Sequence, residues 1–251
     1  MLEIIFEDQD LLVVSKPAGQ TVNRAETTQS EVTLQDELEG YLNKLLTAYR
    51  KQQKGAMGRS PLAVGFLGRA GIVHRLDKET SGILVVAKSP GAFENLQAQF
   101  KGRTVDKEYL ALVHGRTDWE GEISAPIGRD LRFRRRFAVM EEGKEATTAY
   151  RREAVLRNGE EIYSYLRIHP LTGRTHQIRV HLKYRGFPVV SDPLYLSPKR
   201  LKEDLKVCPR LFLHAAALTF THPASGARMR FEAELPEDLR RALARLAVVE
   251  S

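Results

Sequence analysis

Gly71-Ile72-Val73-His74-Arg75-Leu76-Asp77-Lys78-Glu79-Thr80-Ser81-Gly82-Ile83-Leu84-Val85-Val86-Ala87-Lys88 is the stretch from which the fold is read. Gly82 breaks a polar turn, and Ile83 to Ala87 is the short, β-branched apolar run that a strand buried on both faces needs. The first half differs. His74, Arg75, Asp77, Lys78 and Glu79 crowd ionisable side chains into the loop that feeds the strand. Flanking cations favour a charged Asp77, and a carboxylate beside a buried strand is costly unless it is paired. On charge pattern alone, a salt-bridged turn is the simpler reading.

Upstream, Ile4 to Phe6 and Leu11 to Ser15 are apolar runs separated by Glu7-Asp8-Gln9-Asp10, which predicts a β-hairpin. Lys16-Pro17-Ala18-Gly19 ends its second strand, because Pro17 cannot donate to a ladder and Gly19 permits a sharp reversal. Ser30 to Lys51 has leucines near helical spacing and predicts one amphipathic helix, followed by a basic, polar segment over Arg50 to Gly55. Ala56 to Ala70, with three glycines and a proline, reads as an irregular loop.

Downstream, the pattern predicts a helix over Ala92 to Phe100 and strands over Lys107 to His114, Glu122 to Ile127, Thr147 to Leu156 and Ile162 to Ile168. A turn at Arg157-Asn158-Gly159 separates the last two. Leu171 to Leu182 changes period: Gly173 ends a strand, Thr175 is a candidate cap, and Ile178 and Leu182 share a helix face. Phe187 to Val190, Leu211 to Phe220 and Arg228 to Ala233 return to the β pattern, and Pro236 opens a terminal helix. The sum is a strand-rich α+β chain with hairpin connections, for which a mixed, mostly antiparallel sheet with flanking helices is expected. No linker separates two cores, so one domain over residues 1–251 is expected, with an elaboration at about 24–71.

The 251 residues are 42% hydrophobic and 28% charged, an ordinary globular composition. Cys208 is the single cysteine, so an intrachain disulfide and a thiolate cluster are both excluded, which fits a reducing compartment. The N-terminus lacks a basic n-region and no apolar run approaches a membrane span, so a cytoplasmic protein with no membrane partner is expected. A net charge of +7, from 39 basic and 32 acidic residues, favours a polyanionic partner.

Several chemistries are poorly supported. His176 and His181 are five apart and do not share a helix face as zinc-binding histidine pairs do. Glycines at 55, 58, 65 and 68 are not followed by Gly-Lys-Ser/Thr, and Ser81 has no nucleophile elbow. Thr172-Gly173-Arg174-Thr175 suits either a phosphate at a helix N-terminus or a capped helix alone. Arg129 to Phe137 interleaves five arginines with Phe133, either a surface for phosphates and unstacked bases or a solvated hairpin tip.

Lys16-Pro17-Ala18-Gly19, His74-Arg75-Leu76-Asp77 with Ser81-Gly82, Lys107-Glu108-Tyr109, Thr172 to His181, Asp192-Pro193-Leu194-Tyr195 and Leu213-His214-Ala215-Ala216 occur in that order. Together they closely resemble the RluA-type pseudouridine synthases, from about Ile4 to Phe231. The resemblance implies a mostly antiparallel pseudouridine synthase fold with a central RNA-binding cleft, working with no metal or cofactor. It implies an isomerase for selected uridines of structured RNA, ribosomal or transfer, in which a base is flipped out of its stack. By that similarity Asp77 is the essential aspartate, which can stabilise charge at C1′, attack it, or take the 2′ proton. Arg179 corresponds to the arginine that pairs with it. Tyr109, otherwise readable as a core residue, corresponds to the tyrosine that stacks on the uracil. Arg75 corresponds to the arginine that fills the gap left by the flipped base. His74, Arg174 and His176 suit either phosphate contact or a structural role.

Some relatives carry an S4-type RNA-binding domain, whereas this chain starts at the family's first strand, so recognition is expected from the catalytic domain itself. Arg132, Arg134, Arg135 and Arg136 and the basic residues around Arg50 to Arg59 are the candidates. A monomer without an obligatory protein partner is expected. The alternative is a non-catalytic RNA-binding or ribosome-assembly protein on the same fold.

Overall fold

The computed structural model describes residues 2–25, 31–54, 61–133 and 136–250, with the side chains of 52–54 left aside. The chain forms two compact units, Met1–Asp106 with Ala217–Ala233, and Lys107–Ala216 with Glu234–Ser251.

In the first unit, strands β1 (Glu3–Glu7) and β2 (Leu11–Lys16) form the expected antiparallel hairpin. The expected single helix is two, α1 (Leu34–Tyr41) and α2 (Asn43–Lys54), broken at Leu42. Gly40 in the last turn of α1 weakens helix propagation there by about 1 kcal/mol relative to Ala. The start of α1 is fixed by Thr33, which receives the Asp36 N–H while the Asp36 carboxylate receives the Thr33 N–H. Part of the expected loop is helix α3 (Pro61–Gly68), with the proline in its first turn, where no N–H is needed. Strand β3 (Ser81–Ala87) is buried at every position and pairs antiparallel with β2, Val14 facing Leu84 and Lys16 facing Gly82. Helix α4 (Pro90–Gly102) is capped by Ser89 and stopped by Arg103 in the left-handed region.

In the second unit, β4 (Asp106–His114) pairs antiparallel with the later strand β9, and β5 (Glu120–Ser124) with β8. The expected strand Glu122 to Ile127 ends early because Pro126 cannot donate to the ladder. The chain then leaves as the small hairpin β6 (Ile127–Arg129) and β7 (Phe137–Val139). Strands β8 (Thr147–Asn158) and β9 (Glu161–Pro170) form a long hairpin, with Gly159 at φ +59 in its turn. Helix α5 (Gln177–Tyr184) follows.

Phe187 to Val190 is an extended connector rather than a strand. Pro188 offers only its carbonyl, which receives the His114 N–H, while the Val190 N–H bonds Leu112 O. Helix α6 (Pro198–Val207), capped by Ser197, was not signalled by hydrophobic period. Strand β10 (Leu213–Thr221) is divided between the units, and in the first its end pairs with β11 (Arg228–Glu232). Helix α7 (Glu237–Ala244) forms as expected, and the unexpected strand β12 (Ala247–Glu250) pairs with β8.

Alternation along β4 builds two cores in the second unit. Ala111 and Val113 pack with Ile168 of β9 and with Ile178 and Leu182 of α5. Leu112 packs with Phe212 and with Leu239 and Ala242 of α7. Each fully buried Leu or Ile contributes roughly 1.5–3 kcal/mol. Helix α5 is thereby fixed to one face of the sheet, α7 to the other.

Candidate functional site

The loop Gly71 to Thr80 belongs to the first unit. It is tied to the Lys16-Pro17-Ala18-Gly19 turn through one carbonyl, that of Lys78, which receives both the Gly19 N–H (2.8 Å) and Lys16 Nζ (3.1 Å). Lys16 is 0% exposed, and its ammonium also donates to Pro17 O (2.7 Å) and Gln20 O (2.9 Å). An ammonium has three protons, and these carbonyls meet all of them. In the sequence Lys16 reads as the end of a strand and as the start of a family motif, with no role of its own. Its signal was a lysine closing an otherwise apolar run.

Asp77 is half-buried, and its carbonyl receives the Thr80 N–H (3.1 Å), closing a turn whose last residues, Thr80 and Ser81, are buried. The carbonyls of Asp77 and Lys78 are thus both engaged, which holds the backbone from which the Asp77 side chain leaves. Lys78 turns outward to Glu31 (2.7 Å), an exposed ion pair of the kind that charge pattern alone suggests for this loop. His74 is held against β3 and α4. Its Nε2 receives the Val85 N–H (3.0 Å) from β3 and its ring stacks on Phe100 at 4.4 Å. A nitrogen that accepts an amide carries no proton, so the ring is neutral. Arg75 is exposed and pairs with no carboxylate among the described residues.

The other sequence-predicted residues lie in the second unit. Tyr109, half-buried on β4 opposite Ile168, packs against the cluster that holds Ile178 and Leu182. Lys107, two residues earlier, donates to Thr172 O (3.0 Å). The segment before α5 is organised by Gln177, which the sequence did not single out. Its Nε2 donates to Thr147 O (2.9 Å) and Thr148 Oγ1 (3.0 Å), and its Oε1 receives Thr172 Oγ1 (2.6 Å) and the Arg174 N–H (3.0 Å). The expected cap, Thr175, is exposed. His176 occupies the cap position instead, at φ 56, without a side-chain capping bond. Arg174 donates from Nε to Glu145 O (3.1 Å).

Arg179 is 3% exposed and bonds side-on to Asp192, Nε to Oδ2 at 2.8 Å and Nη2 to Oδ1 at 2.7 Å. Asp192 Oδ1 also receives the N–H groups of Leu194 (2.9 Å) and Tyr195 (3.1 Å). A buried guanidinium needs this charge and geometry, since an uncompensated one would cost several kcal/mol. The pair uses the Nε–Nη2 edge, so the Nη1 protons are directed elsewhere. The ring of Tyr195 lies 5.1 Å from the Arg179 guanidinium, and its hydroxyl is 2.9 Å from His176 Nδ1.

The β6–β7 hairpin has an exposed tip, with Leu131, Arg132 and Phe133, and sets arginines against aromatic rings. The Arg136 guanidinium lies 4.8 Å from the Phe133 ring and that of Arg129 lies 5.6 Å from Phe137. Asp130 closes the tip by accepting the N–H groups of Arg132 and Phe133, which hold its carboxyl below the usual carboxylate range. Arg134 and Arg135 lie outside the described residues, as do residues 55–60 of the basic elaboration. The one described grouping with metal-ligand types, Asp8, Asp10 and His222, is engaged in hydrogen bonds. His222 Nδ1 receives two backbone N–H groups and Nε2 meets Asp8 Oδ2 (2.8 Å). No helix among the described residues is long and apolar enough to cross a membrane.

The sequence profile of the RNA pseudouridylate synthase family matches residues 10–184. "Ribosomal large subunit pseudouridine synthase D" of Zymomonas mobilis is 38% identical over 244 residues, 95% of this chain and 71% of that protein. The protein of the same name from Pseudomonas aeruginosa is 40% identical over 245 residues, 94% of this chain and 69% of its own. Among solved structures, "Human RNA Pseudouridylate Synthase Domain Containing 1" superposes with a TM-score of 0.72 at 27% identity, covering 100% of this chain and 89% of that one. A mixed, mostly antiparallel α+β pseudouridine synthase fold thus carries this site. The chain belongs to the RNA pseudouridylate synthase family, RluA type, isomerases that convert uridine in RNA to pseudouridine.

Proposed function

We propose that this chain modifies uridines of large-subunit ribosomal RNA, with Asp77 as the catalytic carboxylate. The RNA class is that printed in the names of the Zymomonas and Pseudomonas relatives. The observation that carries the assignment of Asp77 is its setting. The carbonyls of Asp77 and Lys78 are both hydrogen-bonded, the second to a buried lysine, so the carboxylate stands on backbone that does not yield. A preorganised charge is worth most where charge develops. In the isomerisation the N1–C1′ bond breaks, the uracil turns, and C5 bonds to C1′. C5 loses a proton and N1 gains one, so no other reactant is consumed. Cationic character at C1′ is what a fixed carboxylate stabilises, whether by attack or by field.

The other roles follow the family resemblance. Tyr109 offers a ring on a rigid strand for the uracil to stack on. Arg179 supplies a buried, oriented cation. Arg75, exposed and without a carboxylate partner among the described residues, is suited to stack in the gap left by a flipped base, offsetting part of a cost of a few kcal/mol. Arg132 and Arg136 at the hairpin tip offer phosphate contacts.

Large-subunit ribosomal RNA labelled with tritium at uridine C5, from cells lacking this protein, is the test substrate. The wild-type protein releases tritium from it and not from small-subunit or transfer RNA, and Asp77→Asn slows release at least 1,000-fold at unchanged RNA affinity. Release by Asp77→Asn at the wild-type rate sinks the role of Asp77. Release from another RNA alone sinks the target.

A further inference from the structure

The turn Asp192-Pro193-Leu194-Tyr195 grips two things at once. Asp192 holds the Nε–Nη2 edge of Arg179. Tyr195, 5% exposed, works from both ends of its side chain. Its ring lies beneath the Arg179 guanidinium at 5.1 Å and near Lys183 Nζ at 5.5 Å. Its hydroxyl receives the N–H of Phe137 (3.0 Å), the first residue of β7, and meets His176 Nδ1 (2.9 Å). Phe137 and Tyr195 each approach the His176 ring edge-on at 5.7 Å. Tyr195 also packs with Ile127, Val139 and Val180, which seat the hairpin on α5.

The hairpin that presents Arg132, Phe133 and Arg136 is therefore joined to the start of α5 by the Tyr195 hydroxyl as well as by apolar packing, and the ring of the same residue supports Arg179. We propose that Tyr195 is a positioning residue with two separable parts. The hydroxyl sets the β6–β7 hairpin against RNA, and the ring sets the plane of Arg179. This rests on the proposed function, in which the hairpin contacts RNA and Arg179 serves the chemistry. The parts are separable because the hydroxyl reaches backbone of the hairpin, whereas the cation–π contact needs only the ring.

The test uses the full chain with Tyr195→Phe and Tyr195→Leu, measuring kcat, KM, RNA dissociation constant and melting temperature with a large-subunit ribosomal RNA fragment. Tyr195→Phe is nearly isosteric and keeps the ring. It raises KM and the dissociation constant about three- to tenfold, as loss of one hydrogen bond gives, with kcat within twofold. Tyr195→Leu adds a fall in kcat of about tenfold or more. A merely structural tyrosine would move melting temperature without splitting KM from kcat. The proposal is overturned if Tyr195→Phe lowers kcat at unchanged KM, or binds RNA as tightly as wild type. It is overturned equally if Tyr195→Leu matches Tyr195→Phe in kcat. Should Tyr195→Leu fail to fold, the Tyr195→Phe split decides. If wild type makes no pseudouridine in this RNA, the functional reading fails, and the RNA affinity of Tyr195→Phe still decides whether the phenol holds the hairpin.

Discussion

His181 sits on α5, fully buried, at the end of a hydrogen-bond chain whose direction is fixed. Ala125 O, 3.0 Å away, can only accept, so Nε2 carries the proton. Nδ1 then accepts from Thr148 Oγ1 (2.9 Å), which itself receives Gln177 Nε2. The ring is neutral, and burial pushes its pKa below the usual value of 6.5, against the pull of the Ala125 carbonyl. In the unfolded chain the same imidazole binds a proton from about pH 6.5 downward. The stability its neutral form contributes is therefore present above pH 6.5 and is lost as the pH falls toward its folded pKa. Melting temperature is expected to drop from pH 7 to pH 5, and less steeply in His181→Gln, compared at matched ionic strength. Equal slopes in the two proteins would remove His181 from this role. Cys208 illustrates the same effect on an acid: burial pushes its thiol up to about 11, so it is protonated at neutral pH and a poor nucleophile.

At the scale of elements, Gly71 carries the stretch that decides the fold. It stands at φ +78, and a Cβ there would lie 2.0 Å from Ala87 O. The same residue's carbonyl receives the Ala87 N–H (2.9 Å), so the loop approaches β3 as closely as backbone can. Gly71→Ala must strain or open that contact and is expected to cost roughly 2–4 kcal/mol by chemical denaturation. A loss below about 0.5 kcal/mol would contradict the close approach. The strand itself was legible because Ile83 to Val86 is β-branched or aliphatic at every position. Helix α3 was not, because Gly65 and Gly68 read as breakers. Gly65 instead leaves room for α4, since a Cβ on it would touch Phe93 at 3.5 Å, and Phe66 meets Phe93 edge-on at 6.0 Å. Its glycine serves packing, which no local pattern reveals. The motifs around Asp77, Tyr109 and Arg179 were visible as motifs. The roles of Gln177 and Tyr195 were not, because each depends on partners remote in sequence.

For the whole molecule, the excess of seven positive charges says less than where they remain unmatched. Several arginines are engaged in ion pairs: Arg200 with Glu161, Arg210 with Asp238, Arg24 with Asp36 and Glu39. Such pairs add little to the field at a distance and about 0–1 kcal/mol each to stability. Among the described residues, exposed cations without an ion pair include Lys44, Arg50 and Lys51 of α2, Arg75 and Arg132, together with others such as Lys101, Arg103, Lys183 and Arg185. The elaboration that sequence reading marked as basic thus presents one of these surplus patches, and the hairpin tip presents another. Composition gave the sign of the partner.

Lys16 lends itself to a use in chemical footprinting. Its amine is enclosed and all three protons are engaged by carbonyls, so an amine-directed reagent reaches it only when the Lys16–Gly19 turn parts from the loop bearing Asp77. Lys44 and Lys51 stand in solvent and label at once. In a mass-spectrometric time course the Lys16 peptide is expected to lag behind theirs by orders of magnitude, and to catch up as denaturant is added. Early labelling of Lys16 in the native protein would mean that the enclosure is not maintained. The lag is a clock for the opening of the loop that bears Asp77, read with no substrate and no activity.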